Sequence, residues 1–297
     1  MMNSAASVAK RIAKIKSKSG EQISIFNNPI AEEVQSKKLS EGKIWTPEHF
    51  NDDMWIAPYC VLRSALFSVV KRGKRKEYKQ NAKTYEGEKI ASWNGYEITM
   101  SGFQLDQADF DCLLACIEAC KAQGFGDSVV VTKKQLLQLM KRTVSKDSYL
   151  WLDKSITRLV SAKIGVLSKK RKVRFFGSFL SSFIEDEQSS KFALKINYDL
   201  SKLFVDGTSY LEKKVRLSIS GDLDKWLYSY IYSHDTSIKP HVVSLEKLRE
   251  LCGSGSDSRR FRFKAKEALE RLESKKLIAF EIKGKADSSI LYASRLK

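Results

Sequence analysis

Residues 257–275 read DSRRFRFKAKEALERLESK, with apolar positions spaced as on one face of an α-helix. On a helical wheel the side chains that we predict to be buried are Phe261, Ala265, Ala268, Leu269 and Leu272. Arg259, Arg260 and Phe263 lie opposite them, near the helix start. Arginine at this end is typical of a helix that reads base edges in the major groove. The alternative is an ordinary amphipathic helix whose arginines are solvated.

The segments around this helix predict a small domain. The predicted elements are helices at 221–234, 244–252 and 257–275, and strands at 277–283 and 288–293. Three helices followed by a β-hairpin is the winged-helix arrangement, a variant of the helix-turn-helix. The turn at 253–255 is rich in glycine, but no Gly-Lys-Ser/Thr follows it, so a phosphate-binding P-loop is not predicted.

The same order of elements occurs earlier in the chain, displaced by 112 or 113 residues. Arg158 matches Arg271 in the third helix, and Thr132 matches Ser244 as an N-cap hydroxyl. The predicted elements of this first copy are helices at 105–123, 132–141 and 146–162, and strands near 163–168 and 172–184. The repeat therefore predicts two similar domains.

These two copies divide the 297 residues into three parts. We predict a flexible N-terminal leader at 1–60, winged-helix domain 1 at 61–215 and winged-helix domain 2 at 216–297. The fold class is α+β, with two tandem winged-helix domains, each a helix-turn-helix plus a β-hairpin wing. No run of 18 apolar residues predicts a membrane span. Five cysteines without a CxxC pair favour reduced thiols, and hence a cytosolic compartment.

Positive charge is concentrated in three parts of the chain. The 53 Lys and Arg exceed the 35 Asp and Glu by 18. Residues 71–79 hold six basic residues and one acid, residues 133–174 hold 13 and two, and residues 257–285 hold ten and five. One such run is usually a solvated face, but three in one chain favour a shared polyanion, with nucleic acid before membrane.

Further candidate DNA contacts lie in both copies. In the first copy, Lys154 and Arg158 are one helical turn apart and are predicted to face DNA, beside an exposed Trp151. The hairpin that follows is predicted to contact phosphates or a minor groove, or else to be a solvated turn. Its basic residues are Lys169, Lys170, Arg171, Lys172 and Arg174. In the second copy the interface also includes Ser258, Arg262 and Lys266.

No motif predicts an enzyme, a metal site or a cofactor. The histidines are His49, His234 and His241, and neither a His-x-His nor an HExxH motif occurs. Cys112, Cys116 and Cys120 recur at every fourth position along the first helix, on the edge of its apolar face. We predict that they are small buried residues rather than metal ligands.

The leader contains a short peptide that resembles the sliding-clamp-binding motif of bacterial replication proteins. Its residues are Gln22, Ile23, Ser24, Ile25 and Phe26. A glutamine amide can anchor one end of such a peptide, while an isoleucine and a phenylalanine fill an apolar groove. The alternative is that the peptide is an apolar anchor for the domain behind it.

Taken in order, the motifs make the chain similar to the TrfA-type replication initiators of broad-host-range bacterial plasmids. The resemblance covers roughly residues 22–285. It is carried by Gln22–Phe26, Arg63–Phe67, Tyr230–Ser233, Leu248–Gly253 and Glu270–Leu272.

This resemblance implies a protein that binds double-stranded DNA at origin repeats called iterons and promotes origin melting. It implies contact with the host sliding clamp, replicative helicase and host initiator, and a homodimer in equilibrium with the monomer. The alternative is a winged-helix transcriptional repressor without an initiation role. The peptide at 22–26 discriminates between them, because a repressor has no use for a clamp.

Overall fold

A computed structural model describes residues 53–70, 73–84, 86–120, 128–186 and 191–296. The α-helices are α1 (Tyr59–Leu62), α2 (Gln107–Ala119), α3 (Lys133–Leu139), α4 (Lys146–Ser161), α5 (Lys213–Ser218), α6 (Asp222–Tyr232), α7 (Leu245–Leu251) and α8 (Ser258–Ser274). Strands β1 to β8 are Met54–Pro58, Phe67–Ser68, Glu77–Tyr78, Glu88–Ile90, Tyr96–Phe103, Leu105–Asp106, Ser128–Thr132 and Lys163–Ser168. Strands β9 to β15 are Val173–Gly177, Leu180–Asp186, Lys191–Ile196, Thr208–Glu212, His241–Ser244, Ile278–Lys283 and Ile290–Arg295.

The part of the chain after α5, which we call the second unit, has the predicted helices and hairpin strands in the predicted order, with one strand, β13, that was not predicted. Helix α6 is followed by β13, α7, α8, β14 and β15, and the strands form an antiparallel sheet in the order β13-β15-β14. Ser244 caps α7 by accepting a hydrogen bond from the Lys247 amide at 3.1 Å, as predicted from its hydroxyl. Asp257 caps α8 through the Arg260 amide at 2.8 Å.

The part before α5, which we call the first unit, contains α2, α3 and α4 in the predicted order, with the unpredicted strand β7 before α3. Thr132 caps α3 in a reciprocal capping box with Gln135, which confirms the predicted N-cap hydroxyl. The sheet that contains β7 has the order β10-β11-β7, so β10 and β11 occupy the places of β14 and β15.

The predicted strand pair of the first copy, β8 and β9, is confirmed as an antiparallel hairpin, but it lies outside the sheet that contains β7. Strands β8 and β9 do not join β7; they extend a separate sheet in which β8 pairs with β5. The segment predicted as one strand at 172–184 is broken between β9 and β10, where the Asn197 amide donates to the Ser178 carbonyl at 3.0 Å. A side chain at Gly177 would meet that same amide at 2.7 Å, so a glycine permits the close approach at this corner.

Helices α1 and α5 cross the two predicted domain boundaries. Strand β1 pairs antiparallel with β12, and Trp55 is buried, with its indole Nε1 donating to Glu118 at 2.8 Å. The folded core therefore begins within the segment predicted as a leader ending at residue 60. The boundary predicted after residue 215 falls inside α5, which joins the two units.

Helix α2 lies at the centre of the first unit, and ten of its residues are buried. Cys112, Cys116 and Cys120 are fully buried along it, as predicted, and burial raises the pKa of the Cys120 thiol to about 12. Across the described ranges, no helix is both long and apolar enough to cross a membrane.

Candidate nucleic-acid interface

The start of α8 presents the arginines that the sequence singled out. The predicted inner face is confirmed, because all five of its residues are buried: Phe261, Ala265, Ala268, Leu269 and Leu272. Arg259 and Arg260 are exposed in the first turn, directly after the capping Asp257. Phe263 follows one turn later with 65% of its surface exposed. This end of α8 offers guanidinium donors and an apolar contact to the same partner.

The turn between β14 and β15 is fixed to the start of α8. Asp287 in this turn accepts a hydrogen bond from Ser258 Oγ at 2.9 Å and pairs with Arg262 Nη1 at 3.0 Å. Ser258 and Arg262 thus hold the hairpin beside the helix, with the Arg262 side chain mostly covered. Lys266, further along the helix, is exposed and pairs with Glu270 at 3.6 Å, a surface contact of little energetic weight.

In the first unit the structure separates the two predicted helix contacts. Lys154 is exposed on α4, but Arg158 is directed at Asp109 of α2. The guanidinium forms a bidentate pair, with Nη2–Oδ1 at 2.6 Å and Nε–Oδ2 at 3.1 Å. Asp109 is fully buried, and Ser155 Oγ also donates to it, at 2.7 Å. Arg158 is therefore a packing residue, and its predicted position on the outward face of α4 is wrong.

The second unit contains the matching pair. Arg271, which lies 113 positions after Arg158, donates from Nε and Nη2 to the two carboxylate oxygens of Asp224 at 2.7 and 2.9 Å. These hydrogen bonds raise the pKa of Arg271. Each third helix is thus fixed to the first helix of its unit by an arginine–carboxylate fork. The sequence shows the repeated arginine. It also shows aspartates in the first helix of both copies, which could have indicated the partner of each arginine.

The basic hairpin formed by β8 and β9 belongs to the sheet that contains β5, not to the sheet that contains β7. Lys169 pairs with Glu97 at 3.0 Å and Arg174 with Glu86 at 2.9 Å, all four side chains being about half exposed. Arg171 turns toward Asp206 at 3.4 Å and is mostly covered. The remaining lysines of the tip, Lys170 and Lys172, are exposed.

A buried charge network connects the two units and was not predicted. Arg216 of α5 is fully buried and donates from Nε to Asp111 of α2 at 2.8 Å. Its Nη1 donates to Ser229 of α6 at 2.6 Å, and Lys225 of α6 also pairs with Asp111. Because the guanidinium contacts the first helices of both units, it fixes one relative to the other.

An aromatic cluster forms a second contact between the units. The rings of His234 and His241 stack with centroids 3.7 Å apart, and Trp93 of the first unit meets both edge-on. Tyr230 Oη lies 2.9 Å from His241 Nε2. Burial, with Arg63 close by, lowers the pKa of His241 to about 4 and that of His234 to about 2. Both rings are neutral at physiological pH.

Other predicted features have simpler outcomes. Trp151 is half-buried, with the Arg142 guanidinium 3.6 Å above its ring, so it is less exposed than predicted. Gln22 to Phe26 lie outside the described residues. Within the described part of the chain, no group of three or more His, Cys, Asp or Glu residues is arranged to hold a metal ion.

The chain belongs to the TrfA protein family, whose profile matches residues 17–284. Similar solved structures include domains 2 and 3 of RctB, with 14% identity and a TM-score of 0.49 over 77% of this chain and 94% of that one. Another is the WH1 domain of MSBI1.176, a replication protein isolated from a multiple sclerosis patient, with 14% identity and a TM-score of 0.25 over 33% of this chain and 79% of that one. No curated protein matches the chain.

Proposed function

We propose that this protein is a non-enzymatic plasmid replication initiator that binds double-stranded DNA at origin iterons. The observation that carries the proposal is the exposed start of α8, where Arg259 and Arg260 stand beside Phe263. The planar fork of an arginine suits O6 and N7 of guanine. Membership of the TrfA family and the net charge of +18 support the same reading.

The two units would act as tandem winged-helix domains. In the second unit, α8 enters the major groove, and the turn carrying Asp287 follows the adjacent backbone. In the first unit, Lys154 of α4 contacts phosphate. Lys170 and Lys172 extend the contact to phosphates outside the grooves that the helices enter. The cytoplasm of a bacterium is where such a protein meets plasmid DNA.

A footprint on the protein's own plasmid tests this function. Evenly spaced direct repeats are expected, whereas a single palindrome at a promoter would favour the transcriptional repressor instead. Replacing the correct one of Arg259 and Arg260 by alanine should cost about 1–3 kcal/mol and relax preference at one base. Lys170→Ala should weaken binding to all sequences alike. Equal losses on specific and random DNA from all three variants would contradict base reading by α8.

Salt dependence provides a second readout of the same surface. If about 6–10 phosphates are neutralised, affinity should fall by roughly 10³ to 10⁵ between 50 and 200 mM salt. The three basic runs supply enough lysine and arginine for that number of contacts. A nearly flat response would contradict a phosphate-binding surface.

By family resemblance, the protein would recruit the host sliding clamp, the replicative helicase and the host initiator, and would exchange between monomer and homodimer. For the clamp, the proposed contact is the peptide Gln22–Phe26. Phe26→Ala should abolish pull-down of purified clamp while leaving gel shifts on origin DNA unchanged, because an apolar anchor carries much of the energy of a short peptide. Loss of DNA binding or a lower melting temperature would instead make Phe26 an anchor for the folded domain.

A further inference from the structure

Helices α4 and α8 bury corresponding positions. At a displacement of 113 residues, Leu152, Ser155, Ile156 and Leu159 of α4 match Ala265, Ala268, Leu269 and Leu272 of α8, and all eight are buried. The arginines of the two forks, Arg158 and Arg271, obey the same displacement, although their partners Asp109 and Asp224 are not at matching positions. The two helices therefore present equivalent faces to the core of their units, and their outward faces can be compared position by position.

At this displacement, Leu150 corresponds to Phe263. Leu150 is 50% exposed, and Phe263 is 65% exposed. A single exposed leucine is ordinary on a protein surface. Here, however, two large apolar side chains occupy the same outward position on both third helices, near the end proposed to enter a groove. The simplest explanation of this equivalence is that both side chains contact the same kind of partner.

Two exposed lysines flank Leu150, and one exposed acid, Asp147, lies three residues before it. Lys146 and Lys154 are exposed four residues before and after it, one helical turn away on either side. Asp153, the acid next to Lys154, pairs with Lys133, whose Nζ lies 2.8 Å from Asp153 Oδ1 and 2.7 Å from Glu185 Oε1. An apolar side chain between two lysines suits a groove floor between two phosphate backbones better than it suits an apolar protein surface.

Building on the proposed function, we propose that Leu150 is a specificity-determining residue of the first unit. It contacts the C5-methyl group of a thymine in the major groove, as the counterpart of Phe263. The methyl group distinguishes thymine from the other bases on that edge, and apolar side chains are its usual partners. Lys146 and Lys154 hold α4 in register through phosphates. The first unit thereby reads sequence through apolar contact, whereas the second unit adds arginine.

The test removes the methyl group alone. In the duplex protected in the footprint, each thymine is replaced in turn by deoxyuridine, and affinity is measured for the wild type, Leu150→Ala and Phe263→Ala. At one thymine the wild type should lose about fourfold, the equivalent of one buried methyl group, and Leu150→Ala should lose nothing further. Phe263→Ala should keep that sensitivity and lose sensitivity at a different thymine.

Several outcomes would overturn the inference while leaving the proposed function intact. Unchanged affinity and an unchanged deoxyuridine profile of Leu150→Ala would assign Leu150 to a partner other than DNA. Both variants losing sensitivity at the same thymine would remove the separate role of the first unit. Equal binding of the wild type to origin and random duplexes would instead contradict the proposed function itself. Because Leu150 is exposed, Leu150→Ala should unfold at the same temperature as the wild type, and thermal unfolding is measured as a control for each binding experiment.

Discussion

At the scale of single residues, Arg158 and Lys154 occupy one helix and have opposite roles. Arg158 pairs with the fully buried Asp109, whereas Lys154 is exposed. Arg158→Ala should lower the free energy of unfolding by roughly 3 kcal/mol, because a buried carboxylate loses its bidentate partner. The loss stays at the low end of the usual range because Arg75 still pairs with Asp109. Chemical denaturation measures it.

Lys154→Ala is the matched control for that prediction. Its stability should stay within about 0.5 kcal/mol of the wild type, since the side chain is exposed, while its affinity for DNA should fall. If Arg158→Ala unfolded like the wild type and lost only DNA affinity, Arg158 would face DNA after all, and the fork to Asp109 would contribute nothing.

At the scale of elements, the turn after α7 is where the second unit approaches the first. Gly253 has a φ of +64°, and a Cβ there would lie 2.5 Å from Ser68 Oγ, while the Val69 amide donates to the Cys252 carbonyl at 2.8 Å. Gly253→Ala should therefore lower the free energy of unfolding by at least about 2 kcal/mol, through left-handed strain and steric overlap. Thermal or chemical unfolding would measure this.

Gly255 is the control for that substitution. It lies two residues further along the same turn, its φ is not in the left-handed region, and a Cβ there would meet nothing within 4 Å. Gly255→Ala should leave stability within about 0.5 kcal/mol or raise it slightly. Similar effects of both substitutions would mean that Gly253 is not a point of close approach.

Features of the helices and strands that depend on local spacing can be predicted from the sequence, whereas pairings between distant strands cannot. The inner face of α8 and the caps Thr132 and Ser244 follow from spacing of a few residues, so a single sequence predicts them. Strand β1 pairs with β12 more than 140 residues later, and no local period indicates such a partner. The pairing of β8 with β5 was not predicted for the same reason, because alternation predicts strands without their neighbours.

In the candidate site, too, some side-chain positions were predicted correctly and one was not. The wheel identified Arg259, Arg260 and Phe263 as exposed because helical geometry alone sets the direction of their side chains. It failed for Arg158, whose position between the inner and outer faces lets a long side chain reach a carboxylate on another helix. Exposure depends on which partner lies within reach, and that partner is set by the tertiary fold.

At the scale of the whole molecule, the two units are joined by contacts of different chemistry. Arg216 connects α2 and α6 through a buried guanidinium, and the cluster of Trp93 with His234 and His241 adds stacked neutral rings. Both contacts would hold the first helices of the two units in a fixed relation. Under the proposed function, two third helices held in this way would measure the spacing of bases along an iteron, and the joint would then contribute to specificity.

The histidine pair predicts how this joint depends on pH. In the folded protein the pKa is about 4 for His241 and about 2 for His234, below the ordinary histidine value of 6.5. Between these folded pKa values and pH 6.5, the unfolded chain therefore binds more protons than the folded protein. The contribution of the two histidines to the free energy of unfolding is complete above pH 6.5 and is lost progressively as the pH falls toward 4. Asp222 acts oppositely, because burial raises its pKa to about 6, so its contribution grows as the pH falls through the same interval.

A comparison with the double variant His234→Gln and His241→Gln separates the two effects, because glutamine does not titrate and Asp222 is common to both proteins. The variant should be less stable than the wild type at pH 7.5, since the stacked rings and the Tyr230 contact are lost. The difference should narrow as the pH is lowered from 6.5 to 4.5, because only the wild type then has to exclude protons from a buried site. Denaturant unfolding at four or five pH values measures this, and a difference that stays constant or widens would mean that the two rings are accessible to protons in the folded protein.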